Sequence, residues 1–473
     1  MRPAATPSDA SCAGAAYRDA LAYLYRLAPR GTRLGLDAMR QALAKWGRPE
    51  RGLPAVHIAG TNGKGSVATL VAAGLQQAGL RVGLYTSPHL HSFRERIRIN
   101  GRMVGQDELT CAVRRLQRQA EAGLVPSLSF FESATLLALH LFRAHRCDII
   151  VMEVGLGGRL DATNVVDSVV CAITSIALDH EAWLGSSLSA IAGEKAGILR
   201  PRVPVVSGVP AGEAAVVIAD TAAAKQAPLY VHGRDFDVTV LAAPGAAGPA
   251  VCQSQAVRHL ALQRPAHAEP DRFRAKTRLH FRGWSAPSLE LPCRLHGAHQ
   301  HTNHAVGAAV LCALSAQGMH IDAGAIQAGF RQVEWPGRLE CLPTSPLTLI
   351  DAAHNPAAMA TLCTLLESAD WPRPRALIFA AMHDKDWPAM LDMLAPHIDH
   401  PIYLALPMAR AMPPDVLSAH LPGACVEDPA AALALAAERV GPEGLVVAAG
   451  SIYNIALVRA AALALPQDPL VVG

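Results

Sequence analysis

Pro54-Ala55-Val56-His57-Ile58-Ala59-Gly60-Thr61-Asn62-Gly63-Lys64-Gly65-Ser66 decides how the rest of the chain is read. Ala55 to Ala59 has the length and apolar character of a buried strand, Gly60 to Ser66 is glycine-rich, and Val67 to Ala78 is a helix-compatible run. Strand, loop and helix in that order can aim backbone N–H groups and a helix N-terminus at phosphate, with Lys64 meeting the β- and γ-phosphates. The strict G-x-x-x-x-G-K-[ST] pattern is not met, because Ile58 stands at the first glycine position and Gly65 separates Lys64 from Ser66. The stretch reads as a variant phosphate loop; the competing reading is a glycine-rich turn with a solvated lysine.

Around it the chain alternates short apolar runs with helix-length segments. Arg81 to Thr86, Asp148 to Val154, Val169 to Ile176 and Val203 to Ser207 continue the strand series, which predicts a doubly wound α/β fold with a mostly parallel sheet. The regularity fades after Gly233, where Arg278 to Phe281 and Leu289 to Leu291 suit antiparallel strands and Leu241 to Gln255 reads as a surface insertion. A second alternation, Leu347 to Ala352, Arg375 to Ala380, Ile402 to Leu406 and Leu445 to Ala449, predicts a smaller α/β domain. The turn signal Glu334-Trp335-Pro336-Gly337 sets the expected domains at 1–334 and 335–473.

With 473 residues, 51% of them hydrophobic and 17% charged, the chain has enough apolar material for two or three cores and is not a disordered segment. Lys plus Arg number 42 and Asp plus Glu 39, so a net charge of +3 gives no field that would select nucleic acid or an anionic membrane. No apolar run reaches the roughly 18 residues of a membrane span. Ten cysteines without a C-x-x-C pair, several in runs such as Val170-Cys171-Ala172-Ile173, read as reduced core residues. Met1 to Ala16 lacks the pattern of a secretory signal, so a cytoplasmic protein is expected. No strong heptad or isolated apolar patch marks a dimer, and a monomer is the expectation.

A phosphate loop alone does not select a reaction. Further along come Thr86-Ser87-Pro88-His89-Leu90, Glu95-Arg96-Ile97, Asn100-Gly101 and Glu153-Val154-Gly155-Leu156-Gly157-Gly158-Arg159-Leu160-Asp161-Ala162-Thr163-Asn164. Leu178-Asp179-His180, Glu194-Lys195-Ala196-Gly197-Ile198, Trp335-Pro336-Gly337-Arg338, Asp351-Ala352-Ala353-His354-Asn355-Pro356 and Asp384-Lys385-Asp386 follow. In this order the motifs closely resemble the dihydrofolate synthase/folylpolyglutamate synthase family, a branch of the Mur-type ATP-dependent amide ligases, from about Gly31 to Tyr453. The resemblance implies a P-loop Mur-ligase-type central domain and a smaller Rossmann-like C-terminal domain. It also implies a reaction in which ATP phosphorylates a pterin-linked carboxylate and the amine of L-glutamate displaces the phosphate. Phosphoryl transfer between two anions needs charge neutralisation by lysine and Mg²⁺, and little acid–base machinery beyond removal of the ammonium proton.

By that resemblance Gly60, Thr61, Asn62, Gly63, Lys64, Gly65 and Ser66 bind ATP together with Asn303, Arg338, Asp351 and His354. Ser87 and Glu153 hold a first Mg²⁺, His180 and Lys195 a second, and Lys195 corresponds to the family's carbamylated lysine, which supplies an anionic oxygen in place of an ammonium. Lys64, His180, Lys195 and Arg338 are the catalytic candidates. Read alone, Ser87 is a turn residue before proline, Glu153 a paired structural carboxylate, His180 a structurally satisfied histidine, Arg338 a solvated turn charge and Asp351 a helix cap. The C-terminal ends of parallel strands are where open α/β sheets bind ligands, which favours function for Glu153. His296, His299, His301 and His304 fit no settled zinc spacing, so the nucleotide reading is preferred there.

Thr32, Arg33 and Leu34, the run Ser129-Phe130-Phe131-Glu132, and Leu160, Asp161 and Ala162 resemble the dihydropteroate-contacting segments of bacterial bifunctional members. An aromatic pair beside a carboxylate can sandwich a flat pterin and accept from its ring N–H groups. Phe130 and Phe131 equally suit the start of a core helix running to Phe142, and both readings can hold. Thr174 to His180 looks closer to bifunctional members than to enzymes that only extend folate tails. The expected substrates are therefore dihydropteroate or a reduced folate, L-glutamate and ATP. A tail-extending synthase alone and a peptidoglycan Mur ligase are the alternatives, but only 59 residues precede Gly60, short for a UDP-binding domain. The pattern departs from the family after Gly450-Ser451-Ile452-Tyr453-Asn454, where Ala456-Leu457-Val458-Arg459 replaces the usual continuation.

Overall fold

The protein is described here as a computed structural model, which covers residues 7–28, 35–241, 277–284, 288–367 and 371–469. Thr32, Arg33 and Leu34, and nearly all of Leu241 to Gln255, lie outside those residues.

The deciding stretch folds as read, into β1 (Pro54–Ala59), a loop and the helix Lys64–Gln77. β2 (Val82–Tyr85), β3 (Ile97–Ile99), β4 (Arg102–Met103), β5 (Ile149–Glu153), β6 (Asp167–Ile173), β7 (Val205–Ser207) and β8 (Leu229–Val231) complete the sheet around it. Its strand order is β4-β3-β2-β5-β1-β6-β7-β8. All pairs from β2 to β8 are parallel, and β3 and β4 add an antiparallel edge. β1 sits at the centre with five of its six residues buried, so the loop leaves from the middle of the sheet's C-terminal edge.

Apolar residues cover both faces. Leu70, Val71 and Leu75 of the loop helix pack with Val306, Val310 and Leu311 of the helix His299–Ala316 and with Phe330 of Ala323–Gln332. The opposite face carries the helices Pro7–Tyr25, Gln106–Glu121 and Phe130–Ala144 through Leu21, Leu24, Leu109, Val113, Leu137 and Phe142. The expected antiparallel pieces form a separate sheet in which β10 (Thr277–Arg282) lies between β9 (Asp237–Leu241) and β11 (Leu289–Cys293). Leu279, Phe281, Leu289 and Leu291 turn its apolar side onto the first core.

β12 (Glu340–Leu342), β13 (Leu347–Ile350), β14 (Arg375–Phe379), β15 (His400–Leu404), β16 (Ala424–Val426) and β17 (Leu445–Ala449) form a second sheet. Its order is β12-β13-β17-β14-β15-β16, parallel except for β12. The helices Pro356–Glu367 and Trp387–Leu394 cover one face, and Pro429–Val440 and Ile452–Leu463 the other. The molecule is thus mixed α/β with two mainly parallel sheets. The stretch Glu334 to Gly337 runs between the helix Ala323–Gln332 and β12.

Two expectations need correction. Cys111 and Cys425 are exposed rather than core residues, on the polar side of Gln106–Glu121 and on an edge strand. The strand expected over Val169 to Ile176 ends at Ile173, because Thr174 and Ser175 turn away to bind the phosphate loop. Among the described residues no helix is long and apolar enough to cross a membrane.

Candidate active site

The loop is tied to the end of β6. Thr61 N donates to Ser175 O at 2.8 Å, Asn62 N to Ser175 Oγ at 3.0 Å, and Thr174 Oγ1 to Asn62 O at 2.6 Å. Thr61 Oγ1 both donates to Ala177 O (3.1 Å) and accepts from Ala177 N (3.0 Å). Gly63, at φ 86°, sits in the left-handed region just before the helix, and a side chain there would strike the amide of Asn303. Gly65 answers the question its irregular position raised: a Cβ at that residue would lie 2.7 Å from Cζ2 of Trp335. Trp335, in the link towards the second sheet, packs directly on the first turn of the loop helix.

Lys64 opens that helix, and its Nζ donates to the carbonyls of Gly60 (2.9 Å) and Thr61 (3.0 Å). Lys195, 5% exposed near the end of the helix Leu188–Ala196, also donates to Gly60 O, at 3.0 Å. Two ammonium groups therefore share one carbonyl oxygen. Burial first, and then Lys64, push Lys195 down to about 7, and burial likewise lowers Lys64 against the pull of Glu153 and Asp179.

Glu153 ends β5 beside the loop, buried, and accepts the Ser87 N–H at 2.9 Å. Burial raises its pKa, opposed by Lys64, the Ser87 N–H, Arg338 and Arg96. This places the Ser87 turn and Glu153 in contact, as expected of a shared site. Among the described residues no group of three or more His, Cys, Asp or Glu could hold a metal, and the histidines of the helix His299–Ala316 form no such group. His304 Nδ1 instead donates to Gln300 O at 2.7 Å. One carboxylate beside the Ser87 turn suits Mg²⁺, which keeps waters and phosphate oxygens as its other ligands, better than an ion that demands a full protein cage.

His180 stands at φ 53° directly after Asp179, its Nε2 3.4 Å from Lys385 Nζ, and burial with the neighbouring cations lowers its pKa to about 4. Sequence reading gave Asp179, Asn355 and Lys385 no role, yet they join the two sheets here. Lys385 Nζ lies 2.6 Å from Asp179 Oδ1, with both side chains under 10% exposed. Asn355 Nδ2 donates to Asp179 Oδ2 at 3.1 Å and to Asn62 Oδ1 at 3.2 Å, while Asn62 Nδ2 donates back to Asn355 Oδ1 at 3.3 Å. Their place in the motifs was the available signal; what they do depends on chain segments about 200 residues apart, which no local pattern encodes.

From the second unit, Asp351 accepts Leu339 N and Ala353 N, each at 2.8 Å, and so shapes the turn that presents Arg338. It is no helix cap. Arg338 makes no side-chain hydrogen bond or ion pair among the described residues, although its charge is felt by Lys64, Glu153 and Asp351. His354 holds Ala352 O through Nδ1 at 2.8 Å and brings Nε2 to 3.7 Å from Asp179. Asn303 is buried, its Nδ2 on Gln300 Oε1 at 2.9 Å, facing Gly63.

Ser129 and Glu132 form a capping box at the start of Phe130–Ala144, with Ser129 N on Glu132 Oε2 at 2.8 Å and Glu132 N on Ser129 Oγ at 3.3 Å. Phe130 and Phe131 are both half-buried: Phe130 packs on Tyr25 and Phe93, and Phe131 on Tyr85, each at 5.9 Å between ring centres. Asp161 is buried and accepts Leu156 N (2.8 Å) and Thr163 N (3.0 Å), and Thr163 Oγ1 meets His57 Nε2 at 2.9 Å. Leu160 is half-buried and Ala162 buried on either side.

Residues 337–452 match the family model described as Mur ligase, glutamate ligase domain. A Bacillus subtilis protein named dihydrofolate synthase/folylpolyglutamate synthase is 33% identical over 348 residues, 72% of this chain and 74% of the relative. A Haloferax volcanii protein named probable bifunctional folylpolyglutamate synthase/dihydropteroate synthase is 35% identical over 94% of this chain, and the chain spans 50% of that relative's length. The crystal structure of a bifunctional folylpolyglutamate synthase/dihydrofolate synthase from Yersinia pestis, complexed with AMPPNP and Mn ion, superposes with a TM-score of 0.76 at 32% identity. That match covers 95% of this chain and 98% of the other. Similarity of this extent, across both sheets and the loop between them, shows that the chain belongs to the dihydrofolate synthase/folylpolyglutamate synthase family of Mur-type ligases.

Proposed function

We propose that the chain is an ATP-dependent ligase that joins L-glutamate to 7,8-dihydropteroate and to reduced folates through an acyl phosphate. The observation that carries the reading is the pair of lysines on one carbonyl: Lys64 and Lys195 converge on Gly60 O at the mouth of the loop, with Arg338 nearby and unpaired among the described residues. Two ammonium groups so arranged are costly, a cost relieved when Lys195 is uncharged or modified, and the charge that Lys64 keeps suits a triphosphate.

Gly60 to Ser66 would hold ATP, with Asn303 against the loop and Asp351 and His354 at the second unit's edge. Ser87 and Glu153 would hold one Mg²⁺, and His180 with a carbamylated Lys195 a second. Carbamylation requires a neutral amine, which the burial of Lys195 favours, and it would replace the ammonium that crowds Lys64. Divalent ions bound there would neutralise charge on the transferring phosphoryl group. Lys64 and Arg338 would stabilise the same charge, with Arg338 delivered from the second unit so that closure completes the site. Phe130 and Phe131 would flank the pterin. Leu160, Asp161 and Ala162 are proposed to border it, and Ser129 and Glu132 to hold the helix start beneath it; a substrate role for Thr32, Arg33 and Leu34, outside the described residues, rests on the sequence resemblance alone.

The test is phosphate release by the purified chain with MgATP and L-glutamate, offered 7,8-dihydropteroate and tetrahydrofolate separately. Glutamate-dependent release with both supports the bifunctional reading. Release with tetrahydrofolate alone restricts the activity to tail extension, and release with neither while ATP still binds refutes it.

A further inference from the structure

Arg96 is a buried cation with no counter-ion in contact among the described residues. It closes the short turn Phe93–Arg96, is 5% exposed, and accepts the N–H of Thr86, the residue before Ser87, on its carbonyl at 3.1 Å. Its sequence neighbour Glu95 is already engaged by the N–H groups of Leu90, His91 and Ser92, each within 2.9 Å. Among the described residues Arg96 makes no ion pair, and its one side-chain hydrogen bond runs from Nε to His89 Nδ1 at 2.8 Å. The guanidinium lies 5.2 Å from the centre of the Phe130 ring and 5.9 Å from that of Phe93. Cation–π contacts of this kind offset only part of the cost of removing a charge from water.

The residue is fixed but unsatisfied. Nε is anchored on His89 and the guanidinium lies near both rings, while among the described residues Nη1 and Nη2 have no hydrogen-bond partner and neither is sealed from solvent. Those two donors form the fork that matches a carboxylate in two parallel hydrogen bonds. The guanidinium lies against the Phe130 ring at one end of the site, and the Arg96 backbone holds Thr86, whose neighbour Ser87 donates its N–H to Glu153 at the other. On the ligase reading, the substrate runs from a flat ring to a terminal carboxylate that must meet the phosphate beside Glu153.

We propose that Arg96, through Nη1 and Nη2, binds the substrate carboxylate that is to be phosphorylated. The proposal rests on the ligase reading. It assigns to Arg96 a task that a purely structural arginine would not have, since packing between Phe93 and Phe130 needs no free donors.

Binding in the presence of ADP, where no turnover occurs, tests it. Wild type, Arg96→Gln and Arg96→Lys are each titrated with 7,8-dihydropteroate and with the same molecule lacking its carboxylate. In the wild type, loss of the carboxylate should weaken binding about ten- to a hundred-fold. Arg96→Gln should weaken dihydropteroate by a similar factor and leave the analogue without a carboxylate unchanged. Arg96→Lys, which keeps the charge and stem but not the fork, should fall between, and ADP affinity should hold in all three. Equal weakening of both ligands by Arg96→Gln would make the residue a support for the ring site and overturn the proposal, as would no weakening of either. A wild type that binds ADP but neither pterin overturns the ligase reading and the proposal with it.

Discussion

Replacing Lys385 with methionine should unlatch the two halves of the molecule. In the native arrangement the Asp179 carboxylate lies 2.6 Å from Lys385 Nζ and also takes Asn355 Nδ2 at 3.1 Å and the N–H of His180 at 2.9 Å. Burial alone would raise its pKa, yet His354, His180 and Lys385 hold it well below the ordinary carboxylate range. Removing one member of a buried pair costs about 3–5 kcal/mol, since the other charge is left behind. Asp179 keeps two hydrogen bonds, so the lower end, about 3 kcal/mol, applies. Separation of the two sheets rehydrates Asp179, so the loss should appear as easier opening rather than global unfolding. Amides near residues 352–358 and 178–184, followed by hydrogen exchange, should then exchange about 150-fold faster, at 1.36 kcal/mol per decade. The double variant Lys385→Met, Asp179→Asn should be less damaged than the sum of the single changes, because no orphaned charge remains. Exchange within about two-fold of wild type for Lys385→Met, or strict additivity, would refute the latch.

Three further outcomes follow from the same geometry. Glu153→Gln and Lys64→Ala should each lower phosphate release by about a thousand-fold or more, with thermal unfolding little changed, which a paired activity and melting assay checks. His57 and His304 are fully buried, and burial lowers their pKa values to about 3 and 4. The unfolded chain takes up protons below about 6.5 while these two stay neutral in the fold, so stability is complete above that pH and falls as pH drops towards 4. Near pH 5 the loss should be about 2 kcal/mol per histidine, read from urea unfolding at pH 7 and pH 5 and reduced in His57→Gln. Gly65→Ala gains helix propensity but drives a methyl into Trp335, so the clash should win, with a loss of about 1–3 kcal/mol and weaker ADP binding. Trp335→Phe should restore part of both.

Much of the first sheet was legible because its strands are buried on both faces and read as continuous apolar runs, β1 and β5 above all. Pieces outside that rule went unseen. The hairpin β3–β4 is a polar edge whose signal was Asn100-Gly101, both residues at positive φ. The helices Pro7–Tyr25 and Asp37–Lys45 were missed because their element type becomes plain only when Leu21, Leu24 and Met39 meet the sheet's other helices. At the site, the sequence motifs supplied Lys64, Ser87, Glu153 and Lys195, and the fold brings Lys64 to Lys195 and Ser87 to Glu153. The Trp335 contact that explains Gly65, the Asp179–Lys385 pair and the placing of Arg96 against the Phe130 ring are properties of juxtaposition. No spacing along the chain could have announced them.

The central claim is that the chain activates a carboxylate by phosphorylating it. Dihydropteroate carrying oxygen-18 in its carboxylate, incubated with MgATP, L-glutamate and the purified chain, tests it directly. Each amide formed should deliver one labelled oxygen to inorganic phosphate, because the carboxylate oxygen that attacks phosphorus leaves with it. Amide formation with unlabelled phosphate would exclude an acyl phosphate.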